Sequence, residues 1–96
     1  MYEGDFDKNK KHGFGYETYP DGSHYEGQFY LGNKDGKGRF QWSNGEIYDG
    51  QWKDNHKHGS GLWEGPNSSS YLGEWKFGAI SGFGVLTNEK GERYEG

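Results

Sequence analysis

Cysteine is absent from this 96-residue chain, and it has only two prolines. Without cysteine, neither a disulfide framework nor a zinc–thiolate site can hold the chain together. No apolar run approaches the roughly 18–20 residues of a membrane-spanning helix, and no basic-then-apolar start is typical of a secretory signal. Stability therefore has to come from the packing of neighbouring segments.

Aliphatic residues are also scarce, and the mean hydropathy of −1.29 is common among disordered chains. Two features argue against disorder. Aromatic residues make up 19% of the chain, and the net charge of −4 is too small for self-repulsion to keep the chain open. The composition predicts a thin fold in which aromatic side chains pack on glycine.

A Tyr-x-Gly motif recurs every 23 residues without insertion or deletion, and a Gly-x-Gly motif keeps the same step. A fixed period of roughly 20–50 residues indicates an array of identical units, not a globule with one unique core. Such arrays commonly present a binding surface. We therefore interpret residues 1–96 as one array, with repeats at 2–24, 25–47, 48–70 and 71–93 and the start of a fifth at 94–96.

Side chains alternate with a period of two after each motif tyrosine, as in the run 25–29. This is the pattern of a strand with one buried face. We expect a second strand to start at each Gly-x-Gly motif, whose glycines leave a slot for an aromatic ring. Segments 7–12, 30–35, 53–58 and 76–81 are predicted turns. The predicted core comprises Tyr25, Tyr48, Trp52, Trp63, Tyr71 and Trp75.

A second set of turns ends the repeats, and the third repeat departs from its pattern. Ser68 stands where the other repeats have Gly22, Gly45 and Gly91. Because glycine supplies positive φ at little cost, we expect the loop around Ser68 to be looser.

Three stretches quoted together point to a family: Tyr-Glu-Gly-Gln-Phe at 25–29, Asp-Gly-Lys-Gly at 35–38 and Asn-Gly-Glu-Ile-Tyr-Asp-Gly-Gln-Trp at 44–52. In these motifs, and over essentially its whole length, the chain resembles the MORN (membrane occupation and recognition nexus) repeat. The resemblance implies an all-β, elongated, single-layer antiparallel β-meander of 23-residue hairpins. It also implies a non-catalytic scaffold, cytoplasmic and associated with the cytoskeleton, a cilium or a membrane.

Several patterns resemble ligand sites but lack essential residues. The acidic start at 5–9 has neither the glycine nor the twelfth-position glutamate of a calcium loop. The glycine-rich run 32–37 leads into a strand, whereas a phosphate-binding loop leads into a helix. No carboxylate or cysteine completes a set of metal ligands with the histidines. No repeat is basic, which disfavours nucleic acid. We predict no enzyme activity, cofactor, metal or small-molecule substrate.

The face opposite the predicted core differs between repeats, and apolar side chains there need a cover. Local cross-strand packing is one possibility; a protein partner or self-association, through this face or the end strands, is the other. Arg39, with aromatic neighbours in sequence, suits a binding hot spot. The candidate partner-binding residues are Phe14, Tyr16, Arg39, Leu62, Phe83 and Val85.

Lysines recur at a step of 23 residues as Lys11, Lys34 and Lys57, and the row breaks at Ile80. They could meet phosphoinositide headgroups in a peripheral membrane contact, or form a solvated row of turns. A membrane-surface module is therefore the alternative function. A regulatory segment of a larger enzyme and a secreted repeat that binds cell walls are further alternatives.

Overall fold

The computed structural model describes residues 1–96 as one open antiparallel sheet of nine strands without helices. The strands follow sequence order, in a ribbon of 46 × 26 × 15 Å. This confirms the predicted all-β, single-layer, elongated β-meander. No element could serve as a membrane-spanning helix. The strands are β1 (Tyr2–Asp7), β2 (Lys10–Thr18), β3 (His24–Tyr30), β4 (Asn33–Gln41), β5 (Ile47–Lys53), β6 (His56–Glu64), β7 (Ser70–Lys76), β8 (Ala79–Thr87) and β9 (Arg93–Glu95).

Two-residue turns join the paired strands of each repeat. Both residues of each turn have positive φ, between 47° and 92°, as in type I′ turns, whose twist matches that of the flanking strands. The predicted six-residue turns were therefore too long, and each second strand begins three residues before its Gly-x-Gly motif. The first three residues of each second strand are mostly polar and show no alternation that would predict a strand. The turns are Lys8-Asn9, Leu31-Gly32, Asp54-Asn55 and Phe77-Gly78.

A bulge follows each of these turns and sets which side chains share a face. In the second repeat three residues, 35–37, oppose the single residue Gln28. Gly36 takes a φ of 93° there, and the Gln28 side chain accepts a hydrogen bond from the Lys37 backbone N–H at 2.8 Å. Phe29 and Lys34 are direct cross-strand partners and point to the same side of the sheet, and because the extra residues number two, Phe40 points to that side as well.

One side of the sheet, here called the aromatic face, carries the core. Trp52 packs edge-on between Tyr25 and Tyr48, with ring centroids 5.5 and 5.1 Å away, and donates from Nε1 to the Gly38 carbonyl at 3.0 Å. Trp63 is an exception to the prediction, because it lies half-buried at the margin of the core. The buried aromatic residues are Tyr25, Phe29, Phe40, Tyr48, Trp52, Tyr71 and Trp75.

The glycine slots lie on the strand next to the tyrosine. A Cβ added to Gly61 would be 2.1 Å from Tyr48 Oη, whereas one added to Gly50 would be 2.4 Å from the Gly61 Cα and 3.0 Å from Oη. The Tyr48 ring therefore lies across Gly61, and Gly50 permits the close approach of two backbones. The Tyr48 hydroxyl also donates to the Gln51 carbonyl at 2.9 Å.

The loop of the third repeat follows the same path as the others. Ser68 adopts a φ of 73°, against 92° at Gly22 and 95° at Gly45. It lacks one hydrogen bond, the one that Gly45 N–H donates to the Trp42 carbonyl at 3.0 Å. The third-repeat loop therefore differs from the others only by one missing hydrogen bond and by a serine in the left-handed region of φ, where a side chain is strained.

Candidate interaction surface

The lysine row lies on the aromatic face and not on a solvated row of turns. Lys34 Nζ is 5.4–5.8 Å from the ring centroids of Tyr19, Tyr25, Phe40 and Trp52. Cations at this distance are attracted by the π-electrons of the ring. Burial lowers the pKa of Lys34, and the nearby Glu17 carboxylate only partly opposes this.

The other two lysines occupy equivalent places. Lys57 Nζ is 5.0–5.7 Å from the centroids of three rings, those of Trp42, Tyr48 and Trp75, and burial lowers its pKa. Lys11 Nζ lies 5.4 Å from the Phe29 ring centroid and pairs with Glu17 at 2.5 Å.

The Lys11–Glu17 contact is the only ion pair in the chain. Burial would raise the pKa of Glu17, but hydrogen bonds from Lys11 and Tyr19 outweigh it, and the pKa falls. The ammonium groups of the row are thus directed at rings and a carboxylate of the chain itself.

His12 and His58 occupy equivalent positions near the turns of the first and third repeats. His12 packs near Tyr30, with ring centroids 5.5 Å apart, and His58 packs near Phe77 at 5.1 Å. Nδ1 of both is buried without a hydrogen-bond partner. No three potential ligands cluster as a metal site would require.

The opposite side of the sheet, here called the outer face, is built by the residues between the core positions. Its central row crosses all nine strands, each residue paired with the next across the sheet. Polar residues occupy most of the row, but three consecutive members are apolar. In order, the row is Glu3, Tyr16, Glu26, Arg39, Asp49, Leu62, Leu72, Val85 and Glu95.

An apolar patch forms on β6–β8, and we define it as Leu62, Leu72, Phe83 and Val85. Leu62 pairs with Leu72, and Leu72 pairs with Val85. Leu72 is 57% exposed and Phe83 is 77% exposed. The structure therefore brings together three of the six sequence candidates. It adds Leu72, which the period-two alternation starting at Tyr71 could have identified.

The remaining candidates lie elsewhere on the outer face. Tyr16 packs near His24, with ring centroids 5.8 Å apart, and Phe14 is 60% exposed on the same strand. Arg39 lies between Glu26 and Asp49. Its aromatic neighbour in sequence, Phe40, points to the aromatic face.

A comparison with family models supports this architecture. A model described as the MORN repeat matches residues 2–24, 25–47, 48–70 and 71–93. No curated protein gives a match to the chain. Repeats of this kind are generally associated with protein or membrane interaction. Since consecutive matches cover nearly the whole sequence, the chain belongs to the MORN repeat family.

Proposed function

We propose that this chain is a non-catalytic scaffold that binds a protein partner through its outer face, within a cytoskeletal, ciliary or membrane-associated assembly in the cytoplasm. The observation that carries the proposal is the contrast between the two faces. Across its middle strands the aromatic face is covered by its own rings and lysine stems, and it leaves large apolar side chains exposed only towards its two ends, at Phe6, Ile80, Leu86 and Tyr94. The outer face leaves Leu72 and Phe83 more than half exposed, and apolar groups clustered in this way commonly mark interaction sites.

The alternative of a membrane-surface module has less support. Its candidate lysines, Lys11, Lys34 and Lys57, hold their ammonium groups over aromatic rings. Flotation with anionic vesicles tests it, using Lys→Met at all three positions, because methionine keeps an apolar stem where glutamate would disrupt the core. Salt-sensitive binding to vesicles that the triple variant abolishes would favour the membrane reading.

Site-specific photocrosslinking in the cells that express the chain tests the scaffold. A photoreactive phenylalanine analogue at position 72 should form adducts with protein, whereas the same group at Glu89, in an exposed turn, should not. A fluorescently tagged chain should concentrate on a cytoskeletal or ciliary structure. Adducts with lipid alone, or equal adducts at both positions, would contradict the proposal.

A further inference from the structure

Leu62 and Leu72 owe their exposure to the single-layer fold and not to the end of the array. Leu62 and Leu72 lie on β6 and β7, each of which has a paired strand on both sides. Further repeats would extend the sheet sideways and leave its outer face as it is. A cover for these side chains must therefore approach perpendicular to the sheet.

The patch has the dimensions of one helical stripe. Its row of Leu62, Leu72 and Val85 crosses adjacent strands, which lie about 4.8 Å apart, so that it is about 10 Å long. Side chains at i, i+3 or i+4, and i+7 of an α-helix cover about 10 Å along the helix axis. A helix lying along the ribbon would place successive apolar side chains against successive strands.

The rim of the patch is predominantly acidic. Asp49 pairs with Leu62, and Glu95 pairs with Val85. The Glu74 carboxylate adjoins Gly82, where an added Cβ would lie 2.5 Å from Oε2. None of these carboxylates forms an ion pair within the chain. Glu64, two residues from Leu62 on β6, is a fourth acid of the rim, whereas bases of the outer face lie farther from the patch, among them Arg39, Lys53, Lys76 and Arg93.

We propose that the apolar patch binds an amphipathic helix of a partner protein whose apolar stripe is flanked by Lys or Arg. The inference rests on the proposed scaffold function and specifies the chemistry of its partner. Basic side chains beside the stripe would meet the free carboxylates of the rim. Their attraction would speed the encounter of the helix with the sheet and fix the position of the helix on the patch. A second copy of this chain, which is itself acidic and has no helix, matches this chemistry less well, and so does an anionic membrane.

Binding of designed peptides tests the proposal. An 18-residue helical peptide of leucine and lysine is titrated with the full chain and followed by fluorescence anisotropy. A scrambled peptide of the same composition and a leucine–glutamate peptide serve as probes of amphipathicity and charge. We expect saturable binding of the leucine–lysine helix only, weakened as salt screens the rim.

Matched variants locate the binding. Leu72→Ser with Phe83→Ser should weaken binding roughly tenfold or more, since these are the most exposed apolar side chains of the patch and a few residues carry most of the binding energy of an interface. Phe14→Ser, at the other end of the same face, should leave it unchanged. Asp49→Asn with Glu74→Gln should reduce affinity and its salt dependence, and Glu3→Gln with Glu26→Gln should not. Circular dichroism and tryptophan fluorescence identify any variant that fails to fold.

Several results would overturn the inference. These are equal binding of the scrambled or glutamate peptide, no effect of the Leu72/Phe83 change in a folded variant, and dimerisation or vesicle binding that this change abolishes. If photocrosslinking at position 72 still captures protein while the lysine helix does not bind, the scaffold function stands and only the partner chemistry is wrong.

Discussion

The contact between Tyr48 and Gly61 provides the sharpest test of how the aromatic face is built. A Cβ at Gly61 would lie 2.1 Å from Tyr48 Oη and 2.4 Å from Cζ, far inside the ~3.5–4.0 Å of normal carbon contacts. The Tyr48 ring has no exposed surface and is held between Trp52 and Trp75, with centroids 5.1 and 5.4 Å away. It cannot move by the required distance without disturbing both rings.

We expect Gly61→Ala to lower the free energy of unfolding by about 3 kcal/mol. Overpacking alone costs about 1–3 kcal/mol, and expelling a buried aromatic ring costs about 3–5 kcal/mol. The total free energy of unfolding of a protein domain is roughly 5–15 kcal/mol, so the variant should be close to unfolding at 37 °C. Ser60→Ala, on the same strand but the opposite face, is the control and should change stability by less than about 0.5 kcal/mol.

A double-mutant cycle separates the two glycine roles. With Tyr48→Leu in the background, Gly61→Ala should cost less than about 1 kcal/mol, because its clash is with the ring. Gly50→Val should still cost at least about 2 kcal/mol, because its Cβ would meet the Gly61 Cα at 2.4 Å. Urea unfolding followed by tryptophan fluorescence measures the three single variants and the two double variants. If Gly61→Ala is tolerated, or Tyr48→Leu rescues both glycine changes equally, the ring-on-glycine account is wrong.

Three further predictions concern the core, its ionisation and one turn. Trp52→Ala should cost about 3–5 kcal/mol in urea unfolding, whereas Phe6→Ala, at the equivalent repeat position but 63% exposed, should cost about 1 kcal/mol. Equal losses would contradict the role of Trp52 as a buried core residue. Burial raises the pKa of Tyr48 from 10.0 to about 12, so its stabilising contribution is complete below pH 10 and is lost as pH rises from 10 to 12. Tyr48→Phe should flatten the fall in stability over that window, and an unchanged pH profile would count against the assignment. Ser68→Gly should raise the free energy of unfolding by about 1 kcal/mol, because glycine adopts a φ of 73° without strain. Gly22→Ala, whose Cβ would contact nothing within 4 Å, should lower the free energy of unfolding by a similar amount. If Ser68→Gly is destabilising, the backbone at Ser68 is not strained.

The sequence alone determined the repeat, the strands and most of the core. The step of 23 residues and the alternation after each tyrosine are local patterns, and the backbone geometry of a strand converts them directly into faces. Five of the six predicted core residues are buried for this reason. The outer-face positions of Leu62, Phe83 and Val85 followed from the same alternation.

Only the tertiary structure decided where the lysines point, which glycine receives each ring, and how the apolar patch forms. β4 begins at Asn33, and its polar first residues show no alternation that would predict a strand, so Lys34 was assigned to a turn instead of a position among aromatic rings. The partnership of Tyr48 with Gly61, and of Leu72 with both Leu62 and Val85, depends on cross-strand register. Register joins residues that are distant along the chain, and it is fixed by turn length and bulges together.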